Sequence, residues 1–274
     1  LVEGPDAEIW LSRIMAGRIP AEGRMALAPM LNNQGRLIGD FTITKLGPET
    51  FRLNASYAAQ SYHHRWFMEH LPEKGVTVRN ISLDQIGFQI AGPKARDLLA
   101  RTTRADVSNE ALPFLAARRI NVGLTDALVC RVTYTGDLGY EIYVAPREQR
   151  ALYLALAEAG ADLGLKPFGM RAMMSLRLEK PFGSWMREYR PDYTPAETGL
   201  DRFVAFKRNG FIGRDAALKA RDEGPKRRLA TFVVDANEAD CVADEPIWHK
   251  GEVIGFVTSG GYAHWAGKSV ALGF

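Results

Sequence analysis

Ile86-Gly-Phe-Gln-Ile-Ala-Gly-Pro-Lys-Ala-Arg-Asp-Leu-Leu-Ala-Arg101 reads as a strand, a Gly-Pro turn and a helix. Residues 86–90 alternate as a half-buried strand does. Pro93 then falls in the first helical turn, where its missing N–H costs nothing. Near the chain start, Gly4-Pro-Asp-Ala-Glu-Ile-Trp-Leu-Ser-Arg13 repeats the turn and helix. Two readings stand at this point: two related α+β subdomains, or coincidence, since strand–Gly-Pro–helix junctions are common.

Working outward, short β-prone runs at 25–31 and 37–46 flank Asn32-Asn-Gln-Gly35 and predict a hairpin. Phe51-Arg-Leu53 is expected as a third strand, 58–71 as a helix, and Val76-Thr-Val78 as a strand. Ala127 to Val144 predicts two strands around a tight turn at Thr135-Gly-Asp-Leu-Gly139. Residues 147–160 and 168–178 read as helices. Beyond Pro191 the pattern is strand-like at Phe203-Val-Ala-Phe206, Leu229 to Val234 and Val253 to Thr258. Alternation without a regular parallel βαβ repeat gives an α+β class.

The 274 residues correspond to roughly two domains at about 150 residues each. Charges are nearly balanced, 35 Lys plus Arg against 32 Asp plus Glu, so the basic excess of a nucleic-acid protein is missing. No apolar run approaches the length of a transmembrane helix. Two cysteines, Cys130 and Cys241, form neither a disulfide framework nor a four-thiolate zinc site, and no histidine pair has metal-ligand spacing. Cys130 lies in an apolar run and reads as a core residue. A reducing compartment, the cytoplasm or else an organelle matrix, is the expected location. The chain opens on Leu1 and closes on the apolar run 270–274, which suggests a piece trimmed at both ends. Gly-x-Gly-x-x-Gly and Walker A signatures are absent.

Three places carry candidate chemistry. Asp40 interrupts the apolar strand Leu37-Ile-Gly-Asp-Phe-Thr-Ile43. It is either a positioned acid/base group in a cleft or a strand-edge carboxylate in solvent. In Tyr134-Thr-Gly-Asp-Leu-Gly-Tyr-Glu-Ile-Tyr143 a tight hairpin would bring Tyr134 close to Tyr140 and Glu141. Glu141 is suited to a flat amidine-like edge such as a pterin's, or else is a solvent-facing hairpin glutamate. Arg177 and Glu179, in Ser175-Leu-Arg-Leu-Glu-Lys180, are expected to pair with neighbouring groups.

Taken in order, these segments, together with Asp192-Tyr-Thr-Pro-Ala-Glu-Thr-Gly-Leu200, Phe211-Ile-Gly-Arg-Asp-Ala216 and Thr258 to Ser269, resemble the folate-binding aminomethyltransferase family. That family is represented by the T-protein of the glycine cleavage system. The likeness covers nearly the whole chain and is nearest to the C-terminal folate region of dimethylglycine and sarcosine dehydrogenases. It implies three subdomains around a central folate site: 1–80 carrying Asp40, 81–184 carrying Tyr134 and Glu141, and a β-rich, barrel-like unit at 185–274.

The resemblance further implies tetrahydrofolate as cofactor, Asp40 as the catalytic carboxylate, and Glu141 and Tyr134 as pterin-cavity residues. Ser56 and Met173 fall at folate-site positions where the T-protein has asparagine and arginine. Leu27 and Thr44 stand in place of tyrosines. The implied activity is capture of an amine-derived methylene group as methylenetetrahydrofolate. The implied partners are a lipoyl carrier protein or an FAD-containing oxidoreductase domain, with no metal, nucleic acid or membrane. The alternatives are the folate half of a dimethylglycine or sarcosine dehydrogenase-type enzyme, a folate-dependent demethylase, and a non-catalytic folate-binding protein.

Overall fold

The computed structural model describes all 274 residues. The chain begins with β1 (Val2–Glu3), α1 (Ala7–Ile14), β2 (Met25–Leu31), β3 (Leu37–Gly47), β4 (Thr50–Asn54), α2 (Gln60–Glu69) and β5 (Thr77–Val78). It continues with β6 (Ile86–Ala91), α3 (Ala95–Thr102), β7 (Ala117–Val122), β8 (Thr125–Cys130), β9 (Gly139–Val144) and α4 (Gln149–Ala159). Apart from β5, the two runs have one order: strand, helix, three strands, helix. Their sheets agree, β2-β3-β4-β1-β5 against β7-β8-β9-β6.

The echo in the sequence is therefore a structural repeat. Gly4 and Gly92 take φ of +132° and +123°, a region closed to side chains, which is why glycine recurs there. Each donates its N–H just ahead of the matching strand, Gly4 to Glu49 O at 3.0 Å and Gly92 to Leu138 O at 2.9 Å. Each accepts from the helix start, Ala7 and Ala95, at 3.0 Å.

Register fixes the equivalences residue by residue. Val2 lies opposite Phe51 as Ile90 lies opposite Tyr140. Arg52 on β4 therefore matches Glu141 on β9. Through Thr44↔Arg52 and Cys130↔Glu141, Thr44 on β3 matches Cys130 on β8. One strand further out, Met25 matches Ala117. The two halves meet where Arg24 bridges its own counterpart, Ala116. The flanking bonds, Met25 N–H to Leu115 O and Ala117 N–H to Gly23 O, are both 2.8 Å and exchange with one another. That is the signature of a pseudo-two-fold axis.

Each sheet buries one face against its own helices. Ala28, Met30, Phe41, Ile43 and Phe51 pack with α1, and Ile90, Val129, Tyr140, Ile142 and Val144 pack with α3 and α4. The opposite faces turn toward each other and are joined by a small cluster of Met25, Ala117, Leu128 and Cys130.

The remainder comprises α5 (Met170–Leu176), α6 (Pro195–Thr198), α7 (Arg214–Asp222) and an antiparallel sheet of β10 (Ala230–Val234), β11 (Pro246–His249), β12 (Glu252–Ala263) and β13 (Lys268–Gly273), in the order β10-β13-β12-β11. The apolar run near the C-terminus is thus a central strand. The strand expected at 203–206 does not form. Gly199, at φ +72°, closes α6 into a 3-10 turn over Leu200–Phe203, and Val204 makes only a single bridge to Gly17. No helix is long and apolar enough to cross a membrane.

The terminal sheet is tied in by a buried ion pair. Arg177 Nη1 lies 3.1 Å from Glu188 Oε2, with the side chains 1% and 0% exposed. Glu188 also accepts from Ser184 N–H, Thr258 Oγ1 and Ser259 Oγ, and Arg177 donates to Phe182 O and Ser259 Oγ. Removing one partner strands the other charge away from water. Glu188→Ala is expected to cost about 3–5 kcal/mol of stability. Lys219→Ala, which breaks the exposed Lys219–Glu223 pair, should cost under about 1 kcal/mol. Thermal denaturation of the two variants checks the contrast.

Candidate functional site between the two repeats

Directly opposed residues of an antiparallel pair share a face. Leu27 and Pro29 on β2, Asp40, Thr42 and Thr44 on β3, and Arg52 and Asn54 on β4 therefore line the inner face of the first sheet. Cys130 on β8 and Glu141 and Tyr143 on β9 line the inner face of the second. The inter-sheet space holds two groupings.

The first surrounds Tyr143. The Arg52 guanidinium lies 3.5 Å from the centroid of its ring. The Tyr143 hydroxyl accepts from Asn54 Nδ2 at 3.1 Å and donates to Glu141 Oε2 at 2.6 Å. Arg52 is buried, and its Nη1 has no hydrogen-bond partner. Burial pushes the Glu141 carboxyl up, against the Tyr143 hydrogen bond and the Arg52 charge, which favour its ionised form. Burial also raises Tyr143, and the Glu141 charge adds to that. Burial pushes the Cys130 thiol up to about 12.

The second grouping surrounds Asp40, two residues along β3 from Thr42, the partner of Asn54. That spacing is about 7 Å. Burial pushes the Asp40 carboxyl from 3.8 up to about 7. Its negative charge contributes to the raised values of Tyr134, at about 12, and Tyr189, after burial as the main cause in both. The two tyrosines meet at Gly183: Tyr134 Oη donates to its carbonyl at 2.6 Å, and its N–H donates to Tyr189 Oη at 3.2 Å. A Cβ at Gly183 would stand 2.3 Å from the Tyr189 ring, so the approach requires glycine. His63 is buried behind β3 against Phe41 and Trp185, with ring centroids 4.7 and 5.3 Å away. Its Nε2 is unpartnered, and burial lowers it from 6.5 to about 4, which keeps it neutral.

The arrangement combines a carboxyl poised to exchange a proton near neutrality, a desolvated carboxylate clamped by a hydroxyl, and a buried guanidinium. A separate open cleft of about 550 Å³, lined by Arg13, Asn33 and residues 209–216, shares no residue with this set.

Residues 1–208 match the family model described as GCVT N-terminal domain, and 227–274 match the glycine cleavage T-protein C-terminal barrel domain. The chain belongs to the glycine cleavage T-protein family. It is 34% identical over its full length to mouse mitochondrial dimethylglycine dehydrogenase, of which it spans about a third, 32%. It is 30% identical to an aminomethyltransferase of Caldanaerobacter subterraneus subsp. tengcongensis, with 99% of this chain and 73% of that protein aligned. Among solved structures it resembles the glycine cleavage system aminomethyltransferase T of Bartonella henselae, with a TM-score of 0.89 and 26% identity over 99% of this chain and 74% of that one.

Within this T-protein fold, Asp40 and Glu141 line one inter-sheet space, and Tyr134 sits in the Asp40 grouping. Tyr134 arrives there by another route than the expected tight hairpin. β8 ends at Cys130, residues 131–138 form a loop pinned by Thr133 Oγ1 on Asp137 O, and the Tyr134 hydroxyl reaches Gly183. Ser56 is half-buried at the start of a 3-10 turn over Tyr57–Ala59. Met173 is half-buried on α5, a helix packed against β12. Leu27 is 41% exposed on the inner face, and Thr44 is fully buried with its hydroxyl unpartnered. Sequence reasoning missed Arg52, Asn54, Tyr143, Tyr189 and His63. Tyr143 was recoverable: it lies two residues beyond Glu141 and so shares its face.

Asp40 and His63 imprint opposite slopes on stability. A carboxyl raised in the folded state destabilises as it is forced to ionise, so the Asp40 contribution declines as pH rises from about 4 to about 7. The His63 contribution is present above 6.5 and is lost as pH falls toward 4. The difference in Tm between the wild type and Asp40→Asn isolates the first slope. It should move against the wild type between pH 4 and pH 7, and a constant difference would contradict the raised carboxyl.

Proposed function

We propose that this chain binds reduced folate in the inter-sheet space and acts as a tetrahydrofolate-dependent, aminomethyltransferase-like one-carbon transferase. An amine-derived methylene group is captured to give methylenetetrahydrofolate. The observation that carries the reading is the placement of Asp40, with its near-neutral carboxyl, on the same inter-sheet face that meets the clamped Glu141.

The residues present fit the cofactor. A pterin edge presents adjacent N–H donors, and a carboxylate accepts two such bonds in parallel. Glu141 holds one oxygen with Tyr143, while its other oxygen takes no protein hydrogen bond. Leu27 and Pro29 supply apolar wall, and Tyr134 lies near enough to Asp40 to feel its charge. Ser56 and Met173 are assigned to the folate site on family position. Reduced folate, when bound, supplies the nucleophilic nitrogens that accept the one-carbon unit.

In this reading the work of the protein is proximity and proton handling. Glu141 orients the ring. Asp40 holds or releases a proton beside the reacting nitrogens, and its raised value places that exchange near neutral pH. Matches to dimethylglycine dehydrogenases favour a donor derived from a methylated amine. Its source is an FAD-containing oxidoreductase unit, or a lipoyl carrier protein as in the aminomethyltransferase reaction. A reducing, cytoplasmic-type compartment suits the two free cysteines.

Asp40→Asn separates catalysis from binding. Folate affinity should stay within a few-fold of wild type, while single-turnover transfer from the supplied donor falls by about 100- to 10,000-fold. Full activity in Asp40→Asn removes the carboxyl from the mechanism. Glu141→Gln should weaken folate binding by about one to two decades in calorimetry, since an N–H donor then faces ligand N–H groups. Equal affinities for the two proteins would remove Glu141 from the pterin site.

A further inference from the structure

The two repeats differ at one sheet edge. In the first, β1 is flanked on both sides, by β4 and by β5. In the second, β6 pairs with β9 alone and ends the sheet. Ladder geometry sends alternate backbone groups to opposite sides of a strand. Gly92 N–H donates toward β9, at Leu138 O, so Ile90, Phe88 and Ile86 address β9 as well. Gly87, Gln89 and Ala91 then point their N–H and C=O outward, where no backbone group meets them. Gly87 is exposed, and Gln89 and Ala91 are half-buried. Natural sheets blunt such an edge with Lys, Pro or a bulge, and β6, Ile86-Gly-Phe-Gln-Ile-Ala91, has none of these.

The first repeat shows what fills the position. Gly75 O accepts from Asp6 N–H at 3.0 Å, Arg79 exchanges backbone bonds with Leu1 at 2.9 and 2.8 Å, and Asn80 Nδ2 donates to Gln60 Oε1 at 3.1 Å. Asp6, Leu1 and Gln60 correspond to Lys94, Gln89 and Gln149, and none of these three makes the equivalent bond. A Cβ at Gly4 would stand 2.2 Å from Gly75 O, whereas one at Gly92 would meet nothing within 4 Å. By chain position the counterpart of β5 is Gly164-Leu-Lys-Pro-Phe168, with Gly164 at φ +78° as Gly75 is at +82°. That segment forms no strand and runs on into α5. The place beside β6 is left open.

The groove along this edge is basic. It measures about 300 Å³ and is lined by Phe88, Pro146, Arg147, Gln149, Arg150 and Tyr153. Phe88 and Tyr153, with ring centroids 6.4 Å apart, give it an apolar floor. Arg147 and Arg150 are exposed, at positions where the first repeat has Ala58 and Ser61. The carboxylate between them, Glu148, is turned back to accept from Ala145 N–H.

We propose that the outer edge of β6 docks an extended acidic segment of a partner protein, added as an antiparallel fifth strand. Its apolar side chains lie on Phe88 and Tyr153, and its carboxylates meet Arg147 and Arg150. Main-chain bonds to Gly87, Gln89 and Ala91 supply affinity, and the two arginines select the partner. The same positive charge on two facing edges disfavours a second copy of this chain. The inference stands apart from the folate reading.

The test titrates the full chain with the peptide acetyl-Gly-Val-Thr-Val-Thr-Glu-Glu-amide, patterned on residues 75–81 with the acids placed toward Gln149, and with its Lys-Lys counterpart. Anisotropy of the labelled peptides gives affinity, and amide hydrogen exchange is read at Gly87, Gln89 and Ala91. The acidic peptide should bind, slow exchange at those three amides, and outbind the Lys-Lys peptide by about ten-fold. Charge reversal in the double variant Arg147→Glu/Arg150→Glu should invert that preference and leave Tm unchanged, since both side chains are exposed. No binding of the acidic peptide at millimolar concentration, equal affinity for the two peptides, or binding without protection of those amides overturns the proposal. Full protection in the free chain assigns the edge to residues 165–168, and protection that grows with protein concentration assigns it to a second copy. Either result overturns the proposal as well.

Discussion

Two backbone hydrogen bonds, Met25 to Leu115 and Ala117 to Gly23, hold the inner faces of the two sheets against each other. The rest of the site depends on that contact. A single half of the repeat presents a polar inner face that would remain in water. Facing the second half, the same residues lose water and acquire the properties of a site: Glu141 is raised, and Arg52 and Thr44 become buried. Desolvation is the leading cause of the Asp40 and Glu141 shifts, so the electrostatics here are a consequence of packing around the inner faces.

The two halves have diverged where it matters. Register makes Asp126 on β8 the counterpart of Asp40 on β3, since each lies two residues before an equivalent pair, Leu128 and Thr42. Asp126 makes an ordinary exposed ion pair with Arg119 at 2.8 Å, both side chains 58% exposed. Asp40 has Pro29 opposite it, makes no ion pair, and is only partly exposed, its charge felt by Tyr134 and Tyr189. One scaffold position thus yields a solvated surface charge in one half and a neutral-range acid in the other. The connector 182–189, which carries Tyr189, is anchored through the Arg177–Glu188 pair.

Much of this was legible before any coordinates. The Gly-Pro echo pointed to the repeat because the glycines sit at a φ that only glycine tolerates easily, and such positions leave a mark in sequence. Asp40 and Glu141 stood out as carboxylates among strand formers. Other features left no mark. β7, Ala117-Arg-Arg-Ile-Asn-Val122, turns its arginines outward and alternates poorly, so it was missed as a strand. α7 buries only Ala217, so it has no apolar stripe to mark it. Arg52 carried no signal of its own within the expected strand 51–53, since only the pairing of two distant strands puts it on Tyr143. Phe203–Phe206 erred the other way: its apolar pattern is satisfied by packing of a 3-10 turn beside Leu31 and Leu37, without a ladder.

A site on a pseudo-two-fold axis carries a constraint of its own. Equivalent positions start chemically alike, and like charges facing each other at short range in a desolvated space repel strongly. Here the two equivalent positions carry opposite charges, Arg52 and Glu141, and their neighbours Asn54 and Tyr143, also equivalent, hydrogen-bond each other across the axis. The opposite charges make the buried pair tolerable, and they also make it polar in direction: one side donates, the other accepts.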